Sequence, residues 1–200
     1  TTTYTVTGTA AGCTGTATVT VTLYPIPTVN SETNLTYCAG AAVPANGLTG
    51  TPAGVTFNWT NSNTAIGLGA SGTGVTSIPA FTATNTTTAP ITATITVTPV
   101  ANGCLGTPIT YTITINPTPV ATAETNQTYC NGVAVAANAL AGTPTGVTFN
   151  WTNSNTAIGL GASGTGVTSI PGFTATNTTT APITATITIT PVANGCTGAP

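Results

Sequence analysis

Apolar and polar residues alternate one for one along much of this chain. Ile91, Ala93, Ile95 and Val97 interleave with Thr92, Thr94, Thr96 and Thr98, and Tyr111, Ile113 and Ile115 with Thr110, Thr112 and Thr114. A period of two marks a strand with one buried and one wet face. Asn102-Gly103, between the two runs, suits the positive φ angles of a tight turn, so the runs are expected to form a hairpin. Val55, Phe57 and Trp59, alternating with Thr56, Asn58 and Thr60, predict a central strand with its large aromatics inward. Residues 61–76 carry Asn, Gly and Ser without periodicity and read as a long loop or short edge strands. Phe81 and Ala83 mark one more strand before the turn at Thr86-Thr87-Thr88. Counting the leading segments gives about seven strands, the number of an immunoglobulin-like sandwich.

The pattern then repeats. Tyr37-Cys38, Trp59 and Cys104 return 92 residues later as Tyr129-Cys130, Trp151 and Cys196. Residues 54–104 and 146–196 differ only at Ala80 against Gly172 and Val97 against Ile189. A fixed period of this size predicts a string of like domains. Pro25-Ile26-Pro27 and Pro117-Thr118-Pro119 exclude helix, stiffen the links and set the boundaries. The expected organisation is residues 1–24 as the closing hairpin of a preceding truncated repeat, 25–116 as a complete sandwich, and 117–200 as a second sandwich lacking its final strand. The chain is therefore expected to be a window of a much longer protein. Residues 14–24 have the pattern of the strand that the second sandwich lacks. Head-to-tail strand donation thus stands beside plain truncation, which ranks above it.

Composition narrows the function. The chain has no Lys, Arg, His or Met, and its only charged side chains are Glu32 and Glu124. Proton transfer near neutral pH wants a His, a tuned Lys or paired carboxylates, so no catalytic residue and no enzyme is expected. Without basic residues there is nothing to neutralise phosphates, which argues against nucleic acid and anionic lipid as partners. No apolar run approaches the roughly 20 residues of a spanning helix, so no membrane insertion is expected. The five cysteines fit one pair per unit, Cys38 with Cys104 and Cys130 with Cys196, with the partner of Cys13 upstream of the chain. Such bonds imply an oxidising compartment: periplasm, secretion or cell surface.

Several motifs have bland readings that outweigh sharper ones. Gly67-Leu68-Gly69-Ala70-Ser71-Gly72, repeated from Gly159 to Gly164, matches a dinucleotide fingerprint by letters. No helical sequence follows it and no acid lies about 20 residues on, so it reads as a Gly-rich β connection. Trp59 and Trp151 could stack on sugars, but they share parity with Phe57 and Phe149, so all four aromatics are expected in the core. A lone Glu per unit and no Asp make a calcium site weak, so no metal and no cofactor is expected, and Glu32 and Glu124 read as solvated charges. Asn34, Asn58 and Asn85 begin N-x-Thr sequons, repeated at Asn126, Asn150 and Asn177. These matter only in a host with glycosylation machinery. The Thr-x-Thr ladders invite an ice-binding reading, which a twisted sandwich supports poorly.

The blocks "VTFNWTNSNTAIG", "APITATITVTPVANGC" and "GTPITYTITINPTP" resemble the PKD-like and immunoglobulin-like repeats of very large Bacteroidetes surface proteins. Such proteins are commonly exported by the type IX secretion system, and some resemble the gliding-motility adhesins of that phylum. The Gly-Asp-Gly turn of PKD domains is replaced by Asn61-Ser62-Asn63-Thr64, which removes the basis for any calcium site the family carries. The resemblance implies an all-β array of immunoglobulin-like (PKD-like) sandwiches at the cell surface. The expected role is a disulfide-pinned stalk in a long extracellular adhesin or surface filament. Its expected partners are neighbouring repeats of the same chain, with other copies in a filament or bundle next; a tip ligand is not named. An extracellular glycan-binding module, using the 61–76 loop or the variable 28–31 region, is the alternative.

Overall fold

The computed structural model describes all 200 residues and contains strands, two single-turn 3-10 helices and no α-helix. The first 24 residues hold two long strands, β1 (Thr2–Ala10) and β2 (Cys13–Val21), paired antiparallel across an Ala11-Gly12 turn. Every residue of both strands is exposed, including Tyr4, Val6, Val19 and Val21.

The first unit follows. Its leading part holds β3 (Thr28–Val29), β4 (Leu35–Cys38), β5 (Ala42–Val43), β6 (Asn46–Gly47) and β7 (Gly50–Thr51). Its middle holds β8 (Thr56–Asn61), β9 (Ser71–Val75), β10 (Ser77–Ile78) and β11 (Phe81–Thr82). It closes with β12 (Ile91–Ala101), β13 (Cys104–Leu105) and β14 (Ile109–Asn116). One sheet runs β4-β14-β12-β8-β9, with β13 on β12. The opposing layer is made of the short pairs β5 with β11, β6 with β10 and β3 with β7. Fifteen side chains fill the space between, among them Phe57, Trp59, Ile95, Val97, Ile113 and Ile115 from the long sheet, Val43 and Ile78 from the short pairs, and Leu48 from the connection between β6 and β7. The inward residues are those the alternation selected, because a pleated strand sends successive side chains to opposite faces.

The Asn-Gly turn forms as its chemistry demands: Asn102 and Gly103 take φ of 48° and 77°, the left-handed pair of a two-residue hairpin. The aperiodic stretch after β8 is organised by asparagine. Asn61 Oδ1 accepts from the Asn63 amide at 3.0 Å, and Asn63 Oδ1 accepts from Ala65 N at 3.1 Å, capping the 3-10 turn Thr64–Ile66. Gly67 ends that turn at φ 96°, with the Thr82 carbonyl where a Cβ would stand. The Gly-rich motif therefore leads into strand β9 and not into a helix.

The second unit repeats these elements as β15 (Val120–Ala121), β16 (Ala134–Val135), β17 (Asn138–Ala139), β18 (Gly142–Thr143) and β19 (Thr148–Asn153). It continues with β20 (Ser163–Val167), β21 (Ser169–Ile170), β22 (Phe173–Thr174), β23 (Ile187–Ala193) and β24 (Cys196–Thr197). Its sheet is β20-β19-β23-β24, without counterparts of β4 and β14. The consequence reaches the core. Phe149 and Trp151 remain buried, with Val147 and Leu160, but Ile187 and Ile189 are half-exposed where Ile95 and Val97 are sealed. Both units are all-β sandwiches of the immunoglobulin type.

Candidate functional site

The junction of the two units is where chemistry-bearing side chains meet. β4 lies parallel to β14, and Cys38 stands opposite Asn116 at the trailing end of the first unit. Cys196 follows the Asn194-Gly195 turn of the second unit. Gly198 packs on the Pro119 carbonyl, with no room for a Cβ, so this hairpin is held at the leading end of its unit. The two ends face each other. Cys38 and Cys196 form a disulfide 158 residues apart in sequence, with Cα atoms at 5.6 Å. Asn116 Nδ2 donates to the Asn194 carbonyl at 2.9 Å, while its own carbonyl accepts from Ala39 N at 2.9 Å. Asn116 is buried, which makes a satisfied amide here worth more than one at the surface.

This pairing corrects the expected bonds between Cys38 and Cys104 and between Cys130 and Cys196. Cys38 is at the Asn116 end of β14, and Cys104 lies beyond its Ile109 end. The eight residues of β14 separate those ends by about 23 Å at the usual strand rise. A disulfide needs Cα atoms within about 7 Å. Cys13, Cys104 and Cys130 carry free thiols; Cys13 and Cys130 are exposed and Cys104 is half-buried.

Sequence reasoning missed Asn116 and Asn194. Asn194 is the repeat of Asn102, and an Asn-Gly pair signals a turn without signalling what its carbonyl accepts. The available signal for Asn116 was a polar residue ending an apolar-threonine strand immediately before Pro117.

Other candidates resolve differently. Trp59 and Trp151 are buried with their indole N–H groups unpartnered, each facing a glycine, Gly72 and Gly164, where a Cβ would collide with the ring. Neither ring presents a face for stacking on sugar. Glu32 is half-buried and accepts from Asn46 Nδ2 at 3.0 Å, so it is not the freely solvated charge expected; exposed Glu124 accepts likewise from Asn138. Asn85 uses both hydrogens of its amide nitrogen on the Ala89 and Ile115 carbonyls, at 2.9 and 2.7 Å, so a glycan on that sequon would cost at least one of these bonds. A cavity of about 120 Å³ lies between Leu35, Tyr37, Val43, Phe81, Tyr111 and Ile113. Ligand pockets usually measure about 300–1,000 Å³. Burial raises the pKa of Tyr111; the Asn46 side chain beside it pulls the other way, and the charges of Glu32 and Tyr37 add smaller upward contributions. No helix is long and apolar enough to cross a membrane.

The fold is that of an immunoglobulin-type β-sandwich, and the junction ties two such units together. Residues 35–119 match the PKD-like domain family. No curated protein matches the chain. Among solved structures it is similar to one described as the protocadherin gammaB7 EC3-6 cis-dimer structure, at 8% identity and a TM-score of 0.33. That alignment covers 98% of this chain and 56% of the other, so the chain spans little more than half the length of that relative.

Proposed function

We propose that this chain is a structural, non-catalytic repeat segment of a long extracellular adhesin or surface filament, with residues 1–24, 25–116 and 117–200 as successive pieces of the repeat. The observation that carries the reading is the junction. A cystine and a buried Asn116–Asn194 hydrogen bond tie two sandwiches across a Pro-rich joint. Such a clamp serves a load-bearing rod, in which relative motion of neighbours is unwanted, and serves no evident purpose in a catalyst. The PKD-like match and the disulfide both support an extracellular setting.

Force spectroscopy on the chain held by its termini tests the role. In the oxidised chain the residues between Cys38 and Cys196 stay locked and contribute no length. Reductant is expected to release about 550 Å of additional contour, from 158 residues at about 3.5 Å each. Equal contour lengths with and without reductant overturn the clamp. Selective glycan binding by the isolated chain would favour the module reading instead.

A further inference from the structure

The cystine across the joint is lopsided. Cys196 is 1% exposed, and its sulfur lies 3.9 Å from the carbonyl of Asn194 in its own turn. Cys38 is half-exposed at the end of β4. β4 forms one edge of the long sheet, with β14 on one side and no strand on the other. The first unit holds both β4 and β14, so this edge belongs to a finished sandwich. Half-exposed Leu35 and Tyr37 and exposed Thr36 lead up to the sulfur in extended form, and the turn at Ala39-Gly40 follows it. One sulfur of the bridge is open to a visitor and the other is shut, and access decides which sulfur of a disulfide is attacked.

Two further observations define what the visitor brings. The bond joins cysteines that are not neighbours in sequence, since Cys104 and Cys130 both lie between them. A chain that emerges N-terminus first presents both of those thiols to Cys38 before Cys196 appears, so early bonds to either must be exchanged for the native one. The chain is poorly equipped to drive that exchange itself. A thiol is held as thiolate near neutral pH by a neighbouring cation, a helix N-terminus or a Cys-x-x-Cys pair. The molecule has no Lys, Arg or His, no α-helix and no such pair. An activated thiolate therefore comes from outside.

We infer that Cys38 Sγ is the exchange site through which the joint is locked and opened, its partner a dithiol oxidoreductase that grips the free edge of β4 as an added strand. In opening, a thiolate of the partner attacks Cys38 Sγ. The Cys38–Cys196 bond breaks, and its electron pair leaves on Cys196, which takes a proton. The partner's second thiolate then attacks the mixed disulfide; Cys38 leaves and is protonated, and the partner departs as a disulfide, two electrons poorer. Locking is the same path reversed, with the partner entering oxidised. Cys196 never meets the partner and acts only as leaving group or internal nucleophile. Its site is closed to water, where a bare charge is disfavoured, so adventitious thiols open the joint slowly.

The inference rests on the structural role proposed above, and its test is separate from the force measurement. The oxidised full chain is treated with iodoacetamide to cap Cys13, Cys104 and Cys130. It is then mixed with a reduced thioredoxin whose second active-site cysteine is replaced by serine, which halts the reaction at the mixed disulfide. Peptic digestion and mass spectrometry without reductant locate the link, since trypsin has no site in the chain. A link from the trap to Cys38 is expected, with Cys196 becoming alkylatable. A link to Cys196, or no link to the folded chain, overturns the inference. Two variants check the asymmetry on the peptides concerned. Cys38 in Cys196→Ser is expected to form a mixed disulfide with oxidised glutathione about tenfold faster than Cys196 in Cys38→Ser, and concentrated urea to erase the difference. Equal rates in the folded chains, or a difference that persists in urea, overturn the shielding of Cys196. Contour gained with a phosphine reductant but no trap adduct refutes the exchange site and leaves the load-bearing role; an adduct on Cys38 without that gain does the reverse.

Discussion

Tyr111 shows how a single side chain can be legible in place and illegible in consequence. Its position in a Thr-alternating strand assigns it to the core, and it lies there. Its hydroxyl, however, meets no partner in good hydrogen-bond geometry, although Asn46, which donates to Glu32, lies beside it. An unsatisfied buried hydroxyl costs about 1–3 kcal/mol, so Tyr111→Phe is expected to raise stability by about 1 kcal/mol at neutral pH, measured by urea unfolding. The raised pKa adds a pH signature. Below about pH 10 the phenol is protonated in both folded and unfolded chains and contributes no pH dependence. Above it the unfolded chain ionises first, so stability falls as pH rises toward the folded pKa. Tyr111→Phe is expected to flatten that alkaline fall; an unchanged alkaline limb would remove Tyr111 as its source.

At the level of elements, the alternation located β8, β12 and β14, and Asn102-Gly103 located their turn, because side-chain parity and backbone sign are local properties. Direction of pairing is not local. Leu35-Thr36-Tyr37-Cys38 reads the same whether it joins β14 parallel or antiparallel. Antiparallel pairing would have set Cys38 beside the Cys104 turn, whereas the parallel arrangement sends it to the opposite end and across to Cys196. The expected pairs Cys38–Cys104 and Cys130–Cys196 therefore fail on one strand's polarity. The short pairs β5 with β11 and β6 with β10 were also beyond reading, since two-residue strands carry no period. Loss of the β14 position has a measurable effect on its neighbours. Amide exchange in isolated chains is expected to be at least tenfold faster at residues 127–130 than at 35–38, which bond to β14. Equal protection in a monomer would mean that the segment is ordered by something other than that strand.

For the whole molecule, the repeat fixed the two-sandwich plan, and near-absence of charge fixed how the plan responds to its surroundings. Two carboxylates and no cationic side chain leave no ion pair to screen. The unfolding midpoint is expected to stay within about 2 °C from 50 mM to 1 M sodium chloride and from pH 6 to 9, by differential scanning calorimetry. A shift larger than a few degrees would point to charge effects that the sequence does not contain. The bridge across the joint acts on the opposite side of the ledger, through the unfolded chain: closing 158 residues corresponds to about 5 kcal/mol in the chain-entropy description.

That same bridge gives the molecule tolerance to damage. Any single break in the backbone between Cys38 and Cys196, whether in the exposed Asn85 turn, the Gly-rich loops or the Pro117–Pro119 joint, leaves both fragments attached through sulfur. The severed pieces stay in register beside each other, and the sandwich that was cut keeps its neighbours. A material exposed to proteases outside the cell would in this way survive a first wound without parting, so that failure requires two independent events instead of one.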